Sequence, residues 1–212
     1  MPHIITIGRE FGSGGREVGR RLAERLGYAY YDDEIINELI RNTNYSKEYL
    51  EEVSEKDPVP LFPIRYGSTL NPTPDAGVSM ALDVLSEQAK IMRELALKSD
   101  CIIIGRAADY LLRDLHPYRI FVFATLESRL ARTKGREKSG KSDKELLKSI
   151  KRIDKQRKKY YRFVTGKDWG DWTNYDLLVN TSFSDIKWVV DFIAHLFERQ
   201  KEEKETAKAK SK

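Results

Sequence analysis

Gly8-Arg-Glu-Phe-Gly-Ser-Gly-Gly-Arg-Glu17 decides how this chain is to be read. It lies between a β-like run, His3-Ile-Ile-Thr-Ile7, and a helix-like run that ends at Gly27. A strand that enters a glycine-rich turn and leaves as a helix is the layout of a phosphate-binding loop. Glycines let backbone N–H groups converge on an anion, and the helix N-terminus adds partial positive charge. Gly8, Gly12, Ser13, Gly14, Gly15, Arg16 and Glu17 are therefore the candidate nucleotide-binding residues. The stretch departs from the Walker pattern Gly-x-x-x-x-Gly-Lys-[Ser/Thr]. Gly15 stands at the lysine position, and Arg16 and Glu17 stand where hydroxyl residues belong. Arg16 is the cation inside the turn able to grip a polyphosphate, with Arg9 and Arg20 as competitors. Glu17 fits either ligation of Mg2+ or an ordinary acidic residue in a helix's first turn. A dinucleotide fingerprint fits poorly, because Glu17 replaces its third glycine; a purely structural tight turn is the other alternative.

Working outward, five short runs rich in apolar and aromatic residues stand out: Ile4–Ile7, Tyr28–Tyr31, Ile102–Ile104, Ile120–Phe123 and Leu177–Val179. They are apolar throughout rather than alternating, as parallel strands covered on both faces are. Helical stripes lie between them: Val18, Leu22 and Leu26; then Leu82, Leu85, Ala89, Met92 and Ala96. A last stripe, Ile186, Val189, Val190, Ile193 and Phe197, follows Ser184 or Asp185 as N-cap. The alternation predicts an α/β three-layer sandwich around a five-stranded parallel sheet. Residues 33–77 carry five prolines and are too long for a structureless connection. Ser142-Asp-Lys-Glu145 has the pattern of a capping box and opens a long basic helix. The Lys/Glu/Ala tail over 199–212 reads as a frayed helix end or disorder.

The net charge of +5 is unevenly spread. Residues 127–167 hold 16 Lys/Arg against five Asp/Glu, so the rest of the chain is net acidic. That pattern points to a local polyanion site rather than general affinity for nucleic acid. No apolar run reaches the ~18–20 residues a bilayer span needs, and no signal peptide precedes the first strand, so a cytoplasmic location is expected. The lone Cys101 excludes an internal disulfide and reads as a core residue.

Strand ends supply the other candidates, since ligands in open α/β sheets gather at the carboxyl edge. Asp32 or Asp33, after the second strand, is the better placed metal ligand. Arg106 directly follows Ile102–Ile104 and should project into the crevice. On the basic helix, Lys155 and Lys158 read as solvated, whereas Arg157 reads as functional.

The glycine stretch, Ile104-Gly-Arg-Ala-Ala-Asp-Tyr110 and the segment from Tyr161 to Ser182 together resemble the cytidylate kinase-like family. That is a branch of the P-loop nucleoside monophosphate kinases, and the likeness spans residues 3 to about 198. Cytidylate kinases carry Gly-Ser-Gly-Lys-Ser-Thr where this chain has Gly12-Ser-Gly-Gly-Arg-Glu17. Their acceptor-side arginine matches Arg106, and part of their Arg-Asp-x-x-Asp-x-x-Arg helix matches Asp154 and Arg157. Their Asp-Thr-Gly leaves only Asp32, and an Asp-[Thr/Ser] near the last strand is loosely echoed in Asn180-Thr181.

The resemblance implies an ATP-dependent phosphotransferase that moves the γ-phosphate of ATP to a small phosphorylated acceptor such as a nucleoside monophosphate. Arg16 would hold the donor phosphates, with Mg2+ bound mostly by water and phosphate and Asp32 nearby. Arg106 and Arg157 would grip the acceptor phosphate, and Asp154 would orient a ribose or base. Residues 127–145, with Arg129, Arg132 and Arg136, would close as a cationic lid. Trp169 or Trp172 could stack on a base, against a core or hinge role for either. Residues 1–198 would form one kinase-like domain, with 33–77 as an acceptor-side insert, 127–165 as lid and basic helix, and 199–212 as a charged tail. A monomer or homodimer is expected. A catalytically weak nucleotide sensor on the same fold is the first alternative, and a nucleic-acid binder using the basic helix is the second.

Overall fold

The computed structural model describes residues 2–32, 76–136 and 140–210. The insert expected over 33–77 falls outside them except for its last two residues, and so does Asp33. Five strands form the sheet: β1 (Ile4–Arg9), β2 (Ala29–Tyr31), β3 (Cys101–Ile104), β4 (Tyr118–Phe123) and β5 (Leu177–Asn180). All four pairings are parallel, in the order β2-β3-β1-β4-β5. The expected three-layer α/β architecture is what forms, and each strand falls on its apolar run.

Side-chain alternation along the strands divides the core between two layers. On one face Ile5, Ile7, Ile102, Ile104 and Val122 meet Val18 and Leu22 of α1 (Gly15–Leu26). The last helix joins them there with Val189, Val190 and Ile193. On the other face Ile4, Cys101 and Ile103 meet Met92 and Ala96 of α2 (Ala76–Lys98), and Ala108 of α3 (Ala108–Leu111). Leu82, at the head of the α2 stripe, is exposed instead. Cys101 is buried, and that burial, with Asp100 beside it, pushes its thiol up to about 12. It is an inert core residue.

Local signals set the helix ends. Gly27 closes α1 in the left-handed region (φ 68°). After α4 (Leu126–Arg136), α5 (Asp143–Thr165) starts with the capping box: Ser142 Oγ accepts from the Glu145 N–H, and the Glu145 carboxylate accepts from the Ser142 N–H. Asp185 is the N-cap of α6 (Ile186–Lys210), accepting from the Lys187 N–H at 2.9 Å. That helix continues to Lys210, through most of the stretch whose composition reads as frayed or disordered. Among the described residues no helix is long and apolar enough to cross a membrane.

The close approach of α1 to the sheet rests on one residue. A Cβ at Gly19 would lie 2.4 Å from Ile104 Cδ1 and 3.2 Å from Ile7 Cδ1. Both isoleucines are fully buried, so neither side chain has room to swing away. Gly19→Ala should therefore destabilise by about 1–3 kcal/mol through overpacking. Alanine's helix-propensity advantage of roughly 1 kcal/mol offsets only part of that. Urea denaturation checks it, and a gain in stability would refute the packing argument.

Candidate active site

β1 is the central strand, so its C-terminal end opens at the middle of the sheet's carboxyl edge. The chain then turns sharply. The Ser13 N–H and Oγ both donate to the Glu10 carbonyl, at 3.3 and 2.8 Å. Gly14 precedes α1 at φ 85° and has no side chain to cap it, while the Ser13 hydroxyl accepts from the Gly15 N–H at 3.3 Å. A Cβ at Gly14 would stand 2.7 Å from Ile186 Cδ1, and one at Gly12 (φ 78°) would stand 2.9 Å from the Arg129 carbonyl oxygen. Both glycines are thus required by the sign of φ and by the helices pressing on the loop. Gly8 differs: it lies inside β1, and its missing Cβ makes room for the Phe121 ring, which would be 2.8 Å away.

The arginines expected in the lid grip this loop from outside. Arg129 Nε donates to the Phe11 carbonyl at 2.7 Å, and its guanidinium pairs with Glu10 at 3.1 Å and with Asp154. Asp154 accepts from the Phe11 N–H with its other oxygen at 2.8 Å. Asp154, expected to orient a ribose or base, is thus engaged on the loop and on Arg129. Arg132 donates to the Ser13 carbonyl at 3.3 Å and to the Thr181 hydroxyl at 3.1 Å. Thr181 Oγ1 itself donates to the Ser13 carbonyl at 2.6 Å. Glu17 pairs with Arg136, and with Arg21 at 2.6 Å, which favours its ordinary role in the helix's first turn.

Arg16 and Asp32 meet each other. Arg16 Nε and Nη2 donate to Asp32 Oδ2 at 2.9 and 2.6 Å, with the Arg16 side chain half exposed and Asp32 buried. Among the described residues no three Asp, Glu, His or Cys side chains gather as a metal set. Mg2+ is commonly held by one or two carboxylates together with phosphates and water. A single carboxylate, Asp32, already charge-paired, fits that arrangement and not a protein-built cage.

Beside the loop lies a pocket lined by Arg9, Arg106, Arg157, Asp109, Tyr160 and Tyr161, among others. Arg106 and Arg157, expected together, do face one cavity. Arg157 Nη1 donates to the Arg9 carbonyl at 3.1 Å. The Arg106 guanidinium lies 5.9 Å from the Tyr160 ring centroid, and Tyr160 is fixed by Gln88 at 3.0 Å. The backbone here is unusual: Gly105, Arg106 and Ala107 all have positive φ, at 74°, 55° and 51°. Trp169, half-buried, packs edge-on to Phe121 at 5.2 Å and lines the same pocket, whereas Trp172 is exposed.

Asp109 forms the polar floor of the pocket. It is buried and accepts from the Tyr161 hydroxyl at 2.6 Å. Burial raises its carboxyl above the ordinary range, and the Tyr161 hydrogen bond only partly opposes this. Burial and Asp109 in turn push the hydroxyls of Tyr161 and Tyr175 up, so both stay protonated at neutral pH. A carboxyl raised on folding contributes stability that is full below its unfolded pKa and lost as pH rises through the folded value. Asp109→Asn keeps an acceptor for Tyr161 and removes the titration. Its unfolding free energy should fall less than the wild type's between pH 4 and 8 in urea titrations. Parallel curves for the two proteins would show that Asp109 stays ionised at little cost.

A model of the cytidylate kinase-like family matches residues 4–183, from the first strand to just beyond the last. The chain belongs to that family. A cytidylate kinase of Thermoplasma acidophilum is 28% identical over 196 residues, covering 90% of each chain. One from Methanopyrus kandleri is 28% identical over 205 residues, covering 89% of this chain and 93% of its own. A crystal structure of an uncharacterized protein from Eubacterium ventriosum matches with a TM-score of 0.69 at 25% identity, covering 92% of this chain and 98% of that one. A shikimate kinase from Bacteroides thetaiotaomicron shares the fold at a TM-score of 0.54 and 18% identity, with coverage of 92% and 98%.

In this cytidylate kinase-like chain, three site residues were poorly marked in the sequence. Asp109 lies inside the Ile104–Tyr110 motif but three residues beyond the arginine that carries the resemblance. Thr181 shows only as the weak echo Asn180-Thr181, although it holds Ser13. Arg9 was one competitor among several for the loop cation, and its place became clear only beside Arg106 and Arg157.

Proposed function

We propose that this chain is a phosphotransferase that moves the γ-phosphate of ATP to a small phosphorylated acceptor, first of all a nucleoside monophosphate. The observation that carries the reading is that Arg9, Arg106 and Arg157 line one pocket beside the glycine loop that opens α1. Phosphoryl transfer asks a protein chiefly for positioning and charge stabilisation. The loop's backbone N–H groups receive the donor phosphates, and Arg106 and Arg157 receive the acceptor phosphate. Arg129, Arg132 and Asp154 hold the loop in register for this. Mg2+, when bound, neutralises phosphate charge, with Asp32 the nearest carboxylate. The floor of Asp109 and Tyr161 faces the acceptor's polar edge. Relatives named cytidylate kinase support a nucleoside monophosphate as acceptor, and a donor such as ATP accords with a cytoplasmic location.

ADP release, measured over a panel of nucleoside monophosphates with ATP and Mg2+, tests the reading; turnover with at least one acceptor is expected. No turnover together with measurable ATP binding would favour a nucleotide-binding protein without transfer activity. Gly15 at the lysine position is what keeps that second reading in view. The exposed Lys151, Arg152, Lys155, Lys158 and Lys159 of α5 would matter only to a nucleic-acid binder. Oligonucleotide affinity falling steeply with salt is the sign of one.

A further inference from the structure

We infer that Arg9 is the phosphate-binding cation of the glycine loop, and that residue 15 is a glycine because Arg9 occupies the space a side chain there would need. This rests on the phosphotransferase reading and names a residue that the Walker pattern does not anticipate. A Cβ built on Gly15 would stand 2.5 Å from Arg9 Cβ, 3.2 Å from Arg9 Cγ and 3.1 Å from Val122 Cβ. The first separation is one that real Cβ atoms essentially never show, and both Arg9 atoms belong to the root of its side chain rather than its movable end. Lysine at 15 and arginine at 9 therefore exclude each other. The chain has the arginine.

Arg9 is also well placed for the work. It ends the central strand, is only 8% exposed, and lines the pocket shared with Arg106 and Arg157. Its backbone is fixed on both sides, by the ladder to Val122 and by the bond its carbonyl accepts from Arg157. Arg16, the neighbour of the lysine position in sequence, spends Nε and Nη2 on Asp32 with its side chain half exposed. A guanidinium on a rigid strand keeps its charge at any working pH and can bind two phosphate oxygens at once. It approaches the loop from the strand side, whereas a lysine would approach from the helix.

The test is calorimetric titration of ATP, and separately of inorganic tripolyphosphate, into four variants beside the wild type, with thermal melts to establish folding. Arg9→Met keeps the buried stem and removes the charge. It should weaken both ligands by about 10–100-fold, the loss of a charge-assisted hydrogen bond or two. Arg16→Met should change either affinity less than about threefold, because its guanidinium is directed to Asp32. Gly15→Lys alone should lose binding through the clash. The double variant R9G/G15K moves the cation to the lysine position and clears its space, so it should bind at least about tenfold tighter than Arg9→Met. Wild-type affinity in a folded Arg9→Met, or a large loss in Arg16→Met alone, would overturn the assignment. So would a folded double variant that binds no better than Arg9→Met. Polyphosphate binding without turnover of any acceptor removes the kinase reading and leaves Arg9 standing. Turnover with an indifferent Arg9→Met does the reverse, and a wild type that binds neither polyphosphate removes both.

Discussion

Asp154→Ala is expected to lower the unfolding free energy by about 3 kcal/mol or more, the largest stability loss among single changes near the loop. Its two oxygens serve two partners, the part-buried Phe11 N–H and the buried Arg129 guanidinium. The Arg129 and Asp154 side chains are only 7% and 12% exposed, so water cannot replace the missing carboxylate cheaply. Glu10 remains 3.1 Å from Arg129 and limits the damage. Among the described residues the Phe11 N–H has no such substitute, and the turn it belongs to is the glycine loop. Asp154→Asn, which keeps one acceptor, should cost less. Arg129→Met with Asp154→Ala should cost clearly less than the sum of the single changes, because each single change strands the other's charge. Urea denaturation of the four proteins completes the cycle; strict additivity, or a loss under about 1 kcal/mol, would mean that the pair is effectively solvated.

How far the sequence foretold this molecule depended on the range of the physics involved. The central strands β1, β3 and β4 were legible because burial on both faces leaves a continuous apolar run. The edge strands β2 and β5 are only partly buried and were legible from their apolar and aromatic content. The starts of α5 and α6 were legible for a different reason: Ser142 and Asp185 act within three residues of themselves. Arginine resists such reading. Its chemistry is the same whether it holds phosphate or a carbonyl, and what decides is a partner distant in sequence. Arg129 has the residue type and spacing of a lid cation, yet it is held by Phe11, 118 positions away, and by Asp154, 25 positions away. Arg16 shows a second difficulty. One residue along a helix turns the side chain through roughly 100°, so a cation next to the lysine position points elsewhere, here toward Asp32. Arg9 is six residues from Gly15 in sequence and touches the space above it.

Arg106→Gly should separate function from stability at a single position. Arg106 adopts φ 55° between Gly105 at 74° and Ala107 at 51°. A residue with a Cβ in that region costs about 1–2 kcal/mol relative to the ordinary helical conformation, a cost glycine does not bear. Such strain persists only where the surroundings enforce it, and it clusters at ligand sites. If Arg106 served the fold, replacing it would unfold the turn. If it serves a ligand, glycine should leave stability unchanged or raise it by up to about 1 kcal/mol. On the proposed reading, the lost guanidinium contact to the acceptor phosphate should lower kcat/KM by about 100–1000-fold, mostly in the acceptor's KM if the contact is made in the ground state. Arg106→Lys keeps a charge but not the planar fork, and should recover only part of that loss. Melting temperature and steady-state kinetics on the same preparations decide the matter. A destabilised but fully active Arg106→Gly would assign the strained arginine to the scaffold, leaving Arg157 alone to hold the acceptor phosphate.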